Sequence, residues 1–260
     1  MTELRDVFSA PQGELAALWS GTFGDPPALP LAFLEKLPAL GFGWAAVEDG
    51  RVLGAAYGVD AFTLGGEKAA YLYAVAVRPD ARGRGLGAAL SRAVFETASR
   101  RGAVYRCTEP AEPSLFDWYG RILGVRPVLF CREKTLSAAP GLPVSRLAPA
   151  DYLRRREELL AGRCHMSCPE TLMAYEEQNC LLFGGGFYAV GDGIVAGSPE
   201  DGVLLLRECL GSQADAQAAA VAAALGCESV QVRSCSDSGT PLLAGDKPFP
   251  PGTVWNLALD

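Results

Sequence analysis

The sequence predicts an α/β protein built from two tandem units, on three observations. Apolar stretches of strand length alternate with segments of helical periodicity along the 260 residues. Gly43–Gly54, GWAAVEDGRVLG, aligns without gaps to Gly186–Gly197, GFYAVGDGIVAG, with seven of twelve positions identical. The order of elements after each of these hairpins also repeats, and a repeat of this length sets an architecture.

The elements read as follows. Residues 12–38 carry helical spacing at Leu15, Leu18 and Trp19, then a Pro-rich break, DPPALP, then a short helix, LAFLEKL. GWAAVEDGRVLGAAYGVDAF forms two strands around Glu48-Asp49-Gly50-Arg51, with Asp-Gly supplying the hairpin turn. YLYAVAV is apolar on both faces, as a central strand must be. After RPDARGRGLG, the residues Leu86, Leu90, Val94 and Ala98 recur every four positions and mark one helix face. Arg100 and Arg101 fall in the last turn and Gly102 ends it. AVYRCTEP is a strand, SLFDWYGRIL a helix and RPVLFCREKTL a last strand. SAAPGLP, residues 137–143, reads as a linker, giving units 1–137 and 144–260. The second unit opens with a helix near Asp151 and another in CPETLMAYEEQN. VLLLREC, AQAAAVAAALG and SVQVRSC then answer the strand, helix and strand of the first. The tail KPFPPGTVWNLALD ends in a strand-like run.

A net charge of -7 argues against a nucleic-acid partner, which needs a basic face, and favours cationic small molecules. No stretch of eighteen apolar residues indicates a membrane span. The N-terminus lacks the basic start and apolar core of a signal peptide, so the eight cysteines read as reduced thiols. These readings describe a cytoplasmic protein, a monomer or homodimer.

RPDARGRGLG carries the chemistry. A strand that ends in a glycine-rich turn and opens a helix is an anion site. The N–H groups of the first helical turn have no intrahelical partner, and the helix dipole adds positive charge there. Glycines permit positive φ and close approach to the backbone. The G-x-x-x-x-G-K-[ST] pattern of a nucleotide-hydrolysing loop is absent, and Gly83, Gly85 and Gly87 lack the G-x-G-x-x-G spacing of a dinucleotide fold.

What is present is Arg82-x-x-Gly85-x-Gly87, after a strand and a Pro-containing turn and before a helix. This resembles the acyl-CoA pyrophosphate loop of the GNAT N-acetyltransferase family. The likeness in element order runs over residues 1–136. The rest resembles the same fold as a degenerate second copy, whose corner, LGSQADAQ, has one glycine and no arginine. The resemblance implies a mixed, mostly antiparallel central sheet flanked by helices, in two tandem copies, with acetyl-CoA as cosubstrate. It implies that pyrophosphate rests on the backbone N–H groups of Gly83, Arg84, Gly85, Leu86, Gly87 and Ala88, with Arg82 and Arg84 adding charge. It also implies that the backbone of Val75 and Val77 pairs with the thioester and pantetheine.

Transfer to an amine needs a neutral nucleophile, and an alkyl amine is only about 0.04% neutral at pH 7. A general base is therefore useful, and the departing CoA thiolate needs a proton donor or leaves unaided, a thiol being a fair leaving group. The family places a tyrosine acid on the helix after the fifth strand, and Tyr119 stands there. Gly124 lies one residue further on than the family pattern, and Glu112-Pro113-Ser114 replaces its asparagine. Packing beside Trp118 and Phe116 is the alternative reading of Tyr119. Glu109, with Glu112, is the candidate base, or an acidic loop that orients the amine. Tyr71 and Tyr73 line the acceptor site or pack.

Cys164-His165-Met166-Ser167-Cys168 lacks zinc-site spacing, so no metal is expected. Arg154-Arg155-Arg156 precedes Glu157-Glu158 and reads as a solvated helix face with i,i+4 pairs. The expected function is N-acetylation of a primary amine on a small molecule by direct attack. The alternative is a non-catalytic acyl-CoA-binding sensor or scaffold.

Overall fold

A computed structural model of the chain describes residues 2–255. In chain order the first elements are β1 (Glu3–Asp6), α1 (Gln12–Phe23), α2 (Ala28–Leu40), β2 (Gly41–Glu48), β3 (Arg51–Leu64), β4 (Glu67–Val77), α3 (Leu86–Arg100), β5 (Tyr105–Thr108), α4 (Pro113–Leu123) and β6 (Arg126–Ser137). They are followed by β7 (Val144–Arg146), α5 (Pro149–Leu159), β8 (Met166–Ser167), α6 (Glu170–Leu182), β9 (Gly186–Val190), β10 (Gly193–Glu200), β11 (Val203–Leu210), α7 (Ala214–Ala224), β12 (Ser229–Ser236) and β13 (Thr240–Gly245). No helix among the described residues is long and apolar enough to cross a membrane.

The chain divides into two compact units. Unit 1 joins the residues up to Val128 to Pro241–Pro248; unit 2 joins Leu129–Thr240 to the chain from Phe249 onward. This differs from the division at 137 and 144 read from the linker. The reason is strand pairing. From Phe130 to Ser137, β6 runs antiparallel to β12. β13 instead pairs with β5, Ala244 opposite Thr108 and Gly245 opposite Cys107. A Pro-Gly stretch marks irregular chain; it does not mark where hydrogen bonds change partners.

The sheet of unit 1 runs β1-β2-β3-β4-β5-β13, and that of unit 2 runs β7-β9-β10-β11-β12-β6. All neighbours within each are antiparallel except one pair, β4/β5 in unit 1 and β11/β12 in unit 2. The expected mixed, mostly antiparallel sheet flanked by helices is therefore found in each unit.

In unit 1 the strand pleat sends alternate residues to opposite helix layers. Tyr57 and Tyr73 pack with Trp19 of α1 and Phe33 of α2, ring centroids 5.1–5.6 Å apart. Ala56, Ala70 and Leu72 pack on the other side, with Leu86, Leu90, Val94 and Ala98 of α3, the stripe read from the sequence. Asp49 and Gly50 adopt φ of 50° and 81°, the left-handed pair that an Asp-Gly hairpin turn supplies.

Several expectations change. α2 begins at Ala28, so Pro30 of the supposed break stands in the first helical turn, where its missing N–H costs nothing. Arg156 is not on a solvated face. It is fully buried in unit 2, where its Nε donates to both oxygens of Glu208 at 3.0–3.1 Å. Helical rotation leaves Arg154 outside, paired with Glu158. His165 contacts Glu157 and Ser167, each at 3.0 Å from Nε2. Residues 256–260, part of the expected terminal strand, lie outside the described residues.

Candidate active site

The site forms where β4 and β5 part. Parallel pairing joins Ala69 to Tyr105, Ala70 to Arg106 and Tyr71 to Cys107, and there it stops. At the vertex Thr108 Oγ1 donates to the Leu72 carbonyl at 3.0 Å, a side chain standing in for the next backbone rung. Beyond it, β4 carries a bulge. The register with β3 shifts between Tyr73 and Ala76, and Ala74 takes a φ of 47°, in the left-handed region that alanine rarely enters. One inserted residue reverses the pleat. Leu72 faces the α3 core, and after the bulge Val75 and Val77 pack against that core too.

β4 then leads through a one-turn 3-10 helix, Pro79–Ala81, into the glycine corner. Gly83 and Gly85 have φ of 77° and 76°, and nothing lies within 4 Å of where a Cβ on either would stand. Gly85 caps α3 without any side-chain hydrogen bond. The first helical bond is from the Ala89 N–H to the Gly85 carbonyl, at 3.0 Å. Leu86, Gly87 and Ala88 come before it, so their N–H groups have no acceptor one turn back.

Corner and strand open on one cavity of about 730 Å³, within the range of small-molecule sites. Its walls include Val75 and Val77 of β4, Arg82, Gly83, Gly85, Leu86, Gly87 and Ala88 of the corner, Thr22 of α1, and Ser114, Leu115, Trp118 and Tyr119 of α4. The α4 face follows from spacing: Ser114 and Trp118, like Leu115 and Tyr119, stand one turn apart. Tyr119 is 7% exposed. Burial pushes its phenol up to about 12, opposed by a hydrogen bond with Thr108.

The cavity thus brings together Val75, Val77, Arg82, Gly83, Gly85, Leu86, Gly87, Ala88 and Tyr119 of the residues expected from sequence. Arg84 and Glu109 are not among its described lining residues. The Arg84 guanidinium is turned to Glu48 Oε1 at 2.9 Å and Thr2 Oγ1 at 2.8 Å. Those contacts hold the Glu48 carboxyl down at about 2. Glu109 is half-buried just past the end of β5. Ser114 Oγ reaches Glu112 Oε2 at 3.4 Å, and Glu112 stays outside the lining. Tyr71 and Tyr73 are buried in the aromatic core rather than lining the cavity. Sequence reading missed Ala74, Thr108, Thr22 and Trp118. The one available signal was at Thr108, a polar residue closing the strand.

The matching corner of unit 2 is filled. A Cβ on Gly211 would stand 2.1 Å from Gln217 Oε1. Gln217 Nε2 donates to Asp192 Oδ1 at 2.6 Å and to the Val190 carbonyl at 3.1 Å. The Ser212 N–H points at Asp192 Oδ2, 3.4 Å away, and hydrogen bonding from Ser212 holds that carboxyl below its usual range. Among the described residues, no helix stands between β12 and β13, so Tyr119 has no counterpart there.

An antiparallel sheet with one parallel pair, parting onto a glycine corner at a helix N-terminus, is the acyl-CoA N-acyltransferase fold. Residues 11–125 match the Acetyltransferase (GNAT) family. Solved structures resemble most of the chain. A probable N-acyltransferase from Enterococcus faecalis is 14% identical with a TM-score of 0.69, covering 94% of this chain and 72% of its own. A GCN5-related N-acetyltransferase from Kribbella flavida is 20% identical with a TM-score of 0.66, covering 94% and 71%. Another from Sphaerobacter thermophilus is 18% identical with a TM-score of 0.53, covering 99% and 98%. At these identities the likeness establishes the fold. No curated protein matches the sequence.

Proposed function

We propose that unit 1 transfers an acetyl group from acetyl-CoA to the primary amine of a small molecule, by direct attack of the amine. The observation that carries this reading is the single cavity running from the α3 N-terminus along Val77 and Val75 to Tyr119. The corner fits a pyrophosphate. The N–H groups of Leu86, Gly87 and Ala88 have no acceptor one turn back, and the open space over Gly83 and Gly85 lets an anion approach the backbone. Arg82, on the same wall, adds charge; Arg84 contributes its backbone N–H, its side chain being held by Glu48. The backbone of Val75 and Val77, on the parted stretch of β4, takes the pantetheine arm as it would an added strand. Acetyl-CoA supplies an activated thioester.

Tyr119 is the acid. With its phenol at about 12 it keeps its proton at neutral pH and can give it to a departing thiolate. Glu109, outside the lining, takes the amine proton through water. The acidic balance of the chain favours a cationic acceptor. Unit 2 is a degenerate copy that keeps the fold and holds no acyl-CoA.

Calorimetric titration with acetyl-CoA, followed by thiol release across a panel of amines, tests the reading. Absence of acetyl-CoA binding would sink it. Binding without turnover across the panel would leave the acyl-CoA sensor or scaffold in its place.

A further inference from the structure

β6 and β12 bring two thiols face to face inside unit 2. Their antiparallel pairing runs unbroken from Ser229 opposite Ser137 to Ser236 opposite Phe130, and it sets Cys235 directly opposite Cys131. Residues opposed across antiparallel strands point to the same face of the sheet. Their Cα atoms stand about 4.5 or 5.5 Å apart, according to whether the pair is hydrogen-bonded, and both values lie within the roughly 4.4–6.8 Å that a disulfide spans. Their Cβ atoms, about 4.5–5.5 Å apart, need to close by only about 1 Å. All eight cysteines are free, and no other two are opposed in the described strand pairs.

The two thiols are unequal. Cys131 is buried, and Cys235 is only half-buried. The Cys235 thiol donates to the Trp255 carbonyl at 3.1 Å, and the Trp255 N–H donates to the same sulfur at 3.3 Å. That sulfur thus holds the backbone of a buried residue.

We propose that Cys131 and Cys235 form an oxidation site that takes a small hydroperoxide and closes to a disulfide across β6 and β12. The proposal is independent of the acyl-transfer reading. Cys235, the more accessible sulfur, attacks a peroxide oxygen. The O–O bond breaks, an S–O bond forms and hydroxide leaves; the sulfur is oxidised to a sulfenic acid and the peroxide is reduced. The Cys131 sulfur then bonds to the Cys235 sulfur, the S–O bond breaks and a second hydroxide leaves. The two thiol protons go to the two hydroxides, so two thiols and one hydrogen peroxide give one disulfide and two waters. Burial pushes the Cys235 thiol up to about 11, so little thiolate is present at neutral pH and the first step is slow. The second step is favoured because the partner is already in place. A disulfide carries no S–H, so the Trp255 carbonyl loses its donor when the bridge forms. The site therefore exchanges one restraint for another: β6 and β12 are stapled, and the chain at Trp255 is loosened.

The test treats the intact chain with hydrogen peroxide and maps its thiols by non-reducing tryptic digestion and mass spectrometry. Expected is a linked pair of peptides carrying Cys131 and Cys235, lighter by two hydrogens than the free pair and separated again by dithiothreitol. The oxidised protein should melt about 5–10 °C higher than the reduced protein. Amide exchange should slow along β6 and β12 and quicken at Trp255. Peroxide should produce none of these changes in Cys131→Ser or Cys235→Ser. Recovery of Cys235 as a sulfinic acid, its linkage to any other cysteine, or both thiols still free after prolonged treatment would overturn the proposal. Should a serine variant fail to fold, the linked peptides of the wild-type protein decide the matter alone.

Discussion

Arg106 holds Asp246 from two sides: its backbone N–H donates to Oδ1 at 3.0 Å and its Nε to Oδ2 at 2.7 Å. The Asp246 N–H returns a bond to the Arg106 carbonyl at 3.1 Å. A residue just past β13 is thereby locked to β5, the strand that carries Thr108. Unit 1 depends on a segment more than a hundred residues away in sequence. A fragment of residues 1–137 would expose the β5 edge and should aggregate or remain partly unfolded, whereas the full chain folds. Asp246→Ala in the full chain should lower stability by about 2–3 kcal/mol, below the value for a fully buried pair because both side chains retain some exposure. Urea denaturation measures the second effect and heteronuclear NMR of the fragment the first. A fragment with native-like dispersion would refute this account of unit 1.

The corner glycines are not equivalent. Gly83→Ala and Gly85→Ala place a Cβ at φ near +77°, which costs about 1–2 kcal/mol per residue. Each should lower the melting temperature by several degrees and weaken acetyl-CoA binding. Gly87 lacks a positive φ, and its Cβ would meet Trp118 at an ordinary 3.6 Å. Gly87→Ala should therefore keep the wild-type melting temperature or raise it slightly, since alanine is the better helix residue. Equal destabilisation by all three would show that backbone conformation is not what selects glycine here.

Much of this was legible, for identifiable reasons. The α3 stripe, the Asp-Gly hairpin and the glycine corner are local, and local signals are written in periodicity and in residues that tolerate positive φ. Tyr119 came through resemblance alone and stands on the cavity wall. The bulge at Ala74 was invisible, because alanine has no preference for that backbone and surrounding pairing imposes it. Arg84 misled for the opposite reason. Its place in the loop is readable, but its partner Glu48 lies 36 residues earlier. β13 was missed because short strands announce themselves through partners, and its partner is β5.

The Glu48–Arg84 pair makes one pH-dependent prediction. Glu48 titrates at about 2 instead of its model-compound value of 4.5, chiefly through the hydrogen bond from Arg84. A lowered carboxyl contributes stability that is complete above about 4.5 and is lost as pH falls towards 2. The melting temperature of the wild-type protein should therefore fall more steeply across that window than that of Glu48→Gln. At neutral pH the variant should melt lower. Parallel curves through the acid range would mean that the pair contributes nothing to fixing the loop.

Binding stoichiometry follows from the contrast between the two corners. In unit 1 the hairpin turn reaches the corner through a guanidinium, Glu48 to Arg84, and leaves the helix N–H groups facing a cavity. In unit 2 the hairpin turn sends its own carboxylate, Asp192, to the Ser212 N–H, and Gln217 fills the space beside Gly211. An internal anion already stands where an external one would bind. Calorimetry should therefore find one acetyl-CoA per chain. Arg82→Ala combined with Gly85→Ala should reduce binding at that site without revealing a second. Asp192→Asn should leave the stoichiometry at one, because Gln217 still occupies the corner and, among the described residues, unit 2 has no counterpart of α4. Two sites of similar affinity in the wild-type protein would contradict the assignment of unit 2 as a copy without a cosubstrate site.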